Sequence, residues 1–302
     1  MALSAFENPF LVGFLGPDID RPKRPAKSRC QTEQNFLIWR HGFNKTRRQP
    51  DWVMPLKRKE IELDISLHCQ VSRSRIAHPD EPEDFVLSVD SEIWGTPDPT
   101  VELSDNVDRD VLLGKLMFYL VQVGSALGYN RELDFAFDAH QETTEAGFAI
   151  FDMANEEFQP LVQEMFPHAS PTGDILLLHR LTIHPLARGK RLGLAVLHRV
   201  IEDWSKGCSL VVMKPFPLQF EADADRKADW TDLKLGTFSP SQGMAFERLR
   251  KYYQHLGFKR IGQTDYFALC PDNIRPSTKR LRISNSISVP LANLDSLPSG
   301  RV

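Results

Sequence analysis

Alternation is cleanest at Ile61-Glu-Leu-Asp-Ile-Ser-Leu67, where every second residue is apolar. A period of two puts Ile61, Leu63, Ile65 and Leu67 on one face and predicts a half-buried strand. Phe85-Val-Leu-Ser-Val89 predicts a second strand before a loop rich in proline and aspartate. Leu112 to Val123 suits a central strand or a helix by length. Its β-branched and aromatic residues, bracketed by Gly114 and Gly124, favour strand. Leu133 to Met165 reads as helical, with Phe135, Phe137, Phe148 and Phe151 supplying apolar faces and Pro160 splitting it.

Ile175 to Ile183 is a nearly continuous apolar run and predicts a largely buried strand, ended by Pro185. Leu194, Leu197, Ile201 and Trp204 then recur at helical spacing, with Gly207 placed as a C-terminal cap. Cys208 to Met213 predicts a short strand, and strand–helix–strand implies parallel pairing. Lys214-Pro-Phe-Pro217 ends that strand, and the charged stretch Glu221 to Leu235 reads as a surface insertion. A second amphipathic helix is expected from Gly243 to Leu256, capped by Gly257. A closing hairpin, Phe258–Ile261 with Tyr266–Leu269, turns at Gly262. From Pro271 the chain is rich in proline, serine and asparagine, and a disordered tail is expected.

The expected organisation is therefore a flexible basic extension over residues 1–55, one α/β domain with a mixed sheet over 56–270, and a tail over 271–302. Composition changes this picture little. The 302 residues are 41% hydrophobic and 25% charged, ordinary for a globular chain, and the net charge of -3 selects no class of partner. Charge is uneven, however: Asp80 to Asp110 is acidic, whereas Arg21 to Lys59 and Arg275 to Arg282 are basic. Isolated basic runs are usually solvated faces, which argues against nucleic acid as a partner. The four cysteines are scattered, with no pair or histidine at metal-ligand spacing. No apolar run reaches membrane-spanning length and no signal-peptide layout opens the chain. A cytoplasmic protein is expected, or a nuclear one if the basic ends act as targeting signals.

Between the buried strand and its helix lies Arg188-Gly-Lys-Arg-Leu-Gly193. A strand, a basic glycine turn and a helix N-terminus can form an anion site, with outward backbone N–H groups, the helix dipole and side-chain cations. The other reading of the residues is a solvated basic turn joining a core strand to a core helix. The order Leu181-Thr-Ile-His-Pro185 followed by Arg188-Gly-Lys-Arg-Leu-Gly193 resembles the cofactor-binding signature of the GNAT superfamily of N-acetyltransferases. Arg188 and Gly193 match its ends, and Arg191 stands where the family has its middle glycine. Tyr253-Gln-His-Leu-Gly-Phe258 resembles the end of that family's last helix. The resemblance covers residues 174–269.

The resemblance implies a GNAT-type fold, acetyl-CoA as cosubstrate and transfer of its acetyl group to an amine. The strands Ile175–Ile183 and Cys208–Met213 are expected to splay, with the pantetheine arm against backbone groups of Leu181, Thr182 and Ile183. The pyrophosphate is expected on the amides of Arg188, Gly189, Lys190, Arg191, Leu192, Gly193 and Leu194. Tyr253 matches the family's usual general acid. The polar groups available for the base on the first strand are His179, Arg180 and His184. His179 can serve, given a histidine pKa near neutrality, and the alternatives are water or a residue of the N-terminal half. The alternative is a GNAT-type module that binds a CoA ligand or a partner without catalysis.

Overall fold

The computed structural model describes residues 60–72, 80–99, 110–220 and 241–296, all within the compact unit Met54–Val302. The basic extension, the insertion after Phe220 and the acidic residues 100–109 lie outside the described residues.

Eight strands form one sheet: β1 (Glu60–Ser72), β2 (Val86–Pro97), β3 (Val111–Val121), β6 (Asp174–Ile183), β7 (Cys208–Met213), β8 (Lys259–Arg260), β9 (Phe267–Leu269) and β10 (Ser286–Pro290). Their order across it is β10-β1-β2-β3-β6-β7-β9-β8. Neighbours are antiparallel except β6 and β7, which are parallel as the strand–helix–strand order requires. The protein is thus of the α/β class with a large, mostly antiparallel sheet. Leu112 to Val121 resolves as strand, sharing nearly its whole length with β2 and β6, and Val123 instead opens α1 (Val123–Gly128).

Helices cover both faces. On one side α5 (Leu192–Trp204), α6 (Gln242–Gln254) and α7 (Thr278–Leu281) pack over Leu63, Ile93, Leu116, Phe118, Leu176 and Leu178. Burial of Leu194, Leu197 and Ile201 accounts for the helical spacing of α5, each worth about 1.5–3 kcal/mol. Gly207 ends it with φ +84°, in the left-handed region where glycine has no Cβ penalty. On the other side α1 (Val123–Gly128), α2 (Leu133–Phe137), α3 (Gln141–Ile150) and α4 (Pro160–Met165) cover Tyr119, Val121, Ile175 and Leu177.

Two expectations are corrected. Leu133 to Met165 is not a helix split by proline: α2 and α3 are followed by a two-stranded hairpin, β4 (Phe151–Asp152) with β5 (Glu157–Phe158). Pro160 begins α4, at the first helical position where a missing N–H costs nothing. Residues 271–296 are ordered rather than a disordered tail. The Ser277 hydroxyl caps α7 by accepting from the Arg280 amide, and β10 pairs with β1 from Glu60↔Pro290 to Asp64↔Ser286. Ile287, Val289 and Leu294 are buried there, so this edge adds apolar surface to the core.

Candidate active site

The parallel pairing of β6 and β7 stops at Leu178↔Met213. β6 continues to Ile183, whereas β7 gives way to Lys214-Pro-Phe-Pro217, whose two prolines cannot enter a ladder. On its other side β6 stays paired to β3, with one irregularity: Met117 faces Arg180 and Phe118 faces Leu178, so His179 is an extra residue, a β-bulge. The bulge resets the alternation. Leu176 and Leu178 face α5, and without an inserted residue Arg180 and Thr182 would follow them; instead Leu181 and Ile183 pack on that side.

Past the bulge, the His184 amide donates to the Leu113 carbonyl at 2.7 Å, toward β3. By the period of two, the backbone groups of Ile183 and Leu181 point the other way, to the edge β7 has left. The Ile183 carbonyl there accepts from the Arg188 Nε at 2.8 Å, so that acceptor is taken. Thr182 is buried and its hydroxyl donates to the Lys115 carbonyl, toward β3 rather than the open edge. His184 is buried too, its Nδ1 accepting from the Leu186 amide, and serves the turn.

The open edge borders a cavity of about 660 Å³ on the α5–α6 side, lined by β6, the 188–193 turn, Met213 to Gln219 and α6. Arg188, Gly189, Arg191, Leu192 and Gly193 all reach it. Gly189 has φ +76° and Arg191 φ +60°, so the position where the signature has glycine does adopt a glycine-favoured backbone. Among the described residues the five amides from Gly189 to Gly193 donate to nothing. One amide of the expected cradle is occupied, Arg188 donating to the Pro185 carbonyl, and the Leu194 amide lies close enough to the Tyr252 hydroxyl to favour its ionised form against the larger effect of burial. The Arg191 side chain is tied to α7, its Nη1 donating to the Leu281 carbonyl at 2.6 Å. Burial holds the Arg188 guanidinium below its usual value, without bringing it near neutrality at ordinary pH.

Tyr252 and Tyr253 come from the last turn of α6, their rings edge to face at 5.4 Å. Both line the cavity. Tyr253 is 8% exposed and packed in the core, and desolvation pushes its hydroxyl well above the ordinary range, so it stays protonated. Tyr252 is raised as well, mainly by burial and partly by Tyr253.

On the opposite face the bulge places His179 over the Tyr119 ring, centroids 5.6 Å apart. Its Nε2 accepts from the Arg180 Nε at 3.0 Å and lies 3.5 Å from Glu142 Oε1. The two contacts belong to different states: arginine donates to the bare nitrogen, and the carboxylate is a partner when that nitrogen carries the proton. Burial, with Glu142 second, raises the Tyr119 hydroxyl to about 12. Beside them is a smaller cavity of about 210 Å³, where Lys214 Nζ lies 2.8 Å from Glu145 Oε2 and the Tyr266 hydroxyl donates to the same oxygen at 3.3 Å. The hydrogen bond from Lys214 is the largest cause holding Glu145 below the usual carboxylate range. Leu178, His179, Arg180, Lys214, Phe216 and Leu218 line both cavities.

Sequence reasoning brought the turn, Tyr253 and His179 to one locality but missed Glu142, Glu145, Lys214 and Tyr266. A signal existed: Glu142 and Glu145 are three apart on α3 and so share a face. Comparison with known protein families, with curated proteins and with solved structures finds no match.

Proposed function

We propose that the protein is an acetyl-CoA-dependent N-acetyltransferase of the GNAT type. The observation carrying this reading is the parting of β6 from β7 at Leu178↔Met213, which leaves a cavity on each face of the sheet meeting at common residues. Two substrates entering from opposite faces then react without displacing one another, as direct transfer requires. The larger cavity has the fit for the acyl donor: apolar walls for a pantetheine arm and the amides of Gly189 to Gly193 for a pyrophosphate. The smaller cavity takes the amine.

In this mechanism the amine loses a proton to the His179–Glu142 pair and its nitrogen attacks the thioester carbonyl. The outward amides of β6 near Leu181 stabilise the developing oxyanion. The carbon–sulfur bond breaks, and Tyr253, kept protonated by burial, donates its proton to the departing sulfur. His179 thus keeps the role its sequence position suggests, with Glu142 beside it.

Titration calorimetry with acetyl-CoA, followed by a thiol-release assay over a panel of amines, tests the reading. Binding with turnover on at least one amine supports it. Binding without turnover on any amine favours the non-catalytic module, a reading to which Arg191 on Leu281 lends weight. Absence of binding overturns both.

A further inference from the structure

Lys214 stands at the junction of the two cavities. It is the first residue after β7 leaves β6, and it lines the donor cavity and the acceptor cavity alike. Among the described residues it is the one lysine that lines either of these two cavities. Its ammonium group is not merely solvated: Nζ is 2.8 Å from Glu145 Oε2 and lies 5.5 Å from the centre of the Tyr266 ring. Carboxylate and aromatic face together form a seat for an alkylammonium ion. The side chain is 43% exposed, so a flexible stem can move it along the junction.

Resting on the acetyltransferase reading, we infer that Lys214 is an internal acceptor, acetylated by the protein's own acetyl-CoA. The Lys214 ammonium passes a proton to the Glu145 carboxylate, and the freed nitrogen lone pair forms a bond to the thioester carbonyl carbon. The carbon–sulfur bond breaks and its electron pair leaves with sulfur. Of the two protons the nitrogen loses, one ends on the CoA thiol and one in solvent. The products are N-acetyllysine at 214 and free CoA. The neutral amide no longer pairs with Glu145, so acetylation frees that carboxylate to face an incoming amine. Modification at 214 thereby changes the charge of the acceptor cavity.

The full chain is incubated with acetyl-CoA and followed by intact mass and peptide mapping, with acetyl-CoA binding and amine turnover measured in parallel. The expected result is one acetyl increment on Lys214, at a first-order rate independent of protein concentration, ahead of exposed lysines such as Lys251 and Lys259. Lys214→Arg keeps a cation beside Glu145 but offers no amine, and should abolish the increment; Glu145→Gln should slow it at least tenfold. Binding and turnover with Lys214 unlabelled overturn this inference and leave the acetyltransferase reading intact. Equal labelling of many lysines, or a rate unchanged by Glu145→Gln, also overturns it, because uncatalysed acylation then suffices. Absence of acetyl-CoA binding sinks both.

Discussion

Gly193 and Tyr252 compete for one volume: a Cβ built on Gly193 lies 2.5 Å from the Tyr252 hydroxyl oxygen. The Leu194 amide also lies beside that hydroxyl and favours its ionised form. The glycine that ends the signature is therefore required by α6 packing against α5, apart from anything a cofactor demands. Gly193→Ala should cost about 1–3 kcal/mol, the usual range for overpacking. In a Tyr252→Phe background the obstructing oxygen is gone and the cost should fall below about 1 kcal/mol. Denaturant unfolding of the four proteins in this double-mutant cycle measures the coupling. Additive losses would show that the two residues do not share the space.

Tyr253→Phe isolates the proton chemistry, since the ring remains and only the hydroxyl goes. Melting temperature and acetyl-CoA affinity should stay near wild type while turnover drops roughly 10²-fold, the low end for losing a general acid. Tyr252→Phe should leave turnover within a fewfold of wild type. Wild-type turnover in Tyr253→Phe removes this tyrosine from the acid role.

Arg191 sits at φ +60° and also tethers α7. Arg191→Gly gains a relaxed left-handed residue and loses a hydrogen bond, each worth about 1 kcal/mol, so its stability should be close to wild type. Arg191→Ala loses the bond and keeps the strain, and should be less stable than Arg191→Gly by about 1 kcal/mol. Thermal denaturation distinguishes them. Because the guanidinium faces Leu281, neither substitution should weaken acetyl-CoA binding more than about tenfold.

Deleting residues 284–302 removes β10 and with it the cover over Ile61 and Leu63. Loss of the burial of Ile287, Val289 and Leu294 should cost several kcal/mol, at about 1.5–3 kcal/mol for each side chain. The melting temperature should drop clearly; an unchanged value would mean that β10 does not pair in solution.

The Lys214–Glu145 pair sets a pH dependence. Glu145 is held below its ordinary value near 4.5, so its contribution is complete above that value and is lost as pH falls through the lower folded one. Both side chains are about two-fifths exposed, and solvent screening limits the effect to about 0.2–1 kcal/mol. Lys214→Met should therefore be slightly less stable than wild type at neutral pH, with the gap closing in acid. Unfolding curves at the two pH values test this, and a gap that persists in acid assigns it to packing instead.

Strong periodicity made most of the sheet legible. Ile61 to Leu67, Ile175 to Ile183 and the stripe Leu194–Leu197–Ile201 sit where their spacing puts them. What escaped depended on short or distant pairing. β10 shows only Ile287-Ser-Val289 as alternation, and it becomes a strand because β1 offers it an edge. The bulge at His179 has no local signature, for it follows from register against β3. Glu145 became part of the site through Lys214 and Tyr266, which are 69 and 121 residues away in sequence. The turn between β6 and α5 was readable, but the direction of Arg191 was not, because Leu281 belongs to a segment without a visible pattern.

The antiparallel pairing of β1 with β10 also sets an order of events in the making of the protein. β10 leaves the ribosome roughly two hundred residues after β1, on the order of 10–40 s at ordinary elongation rates. For that interval β2 can zip onto one side of β1 while the other side carries bare N–H and C=O groups, a template for unwanted pairing with another nascent chain. Glu60, Glu62 and Asp64, which alternate with buried Ile61 and Leu63, stand along that waiting edge. Their like charges repel a second copy of the same strand, so the polar face of β1 guards the chain during synthesis until its own late strand arrives.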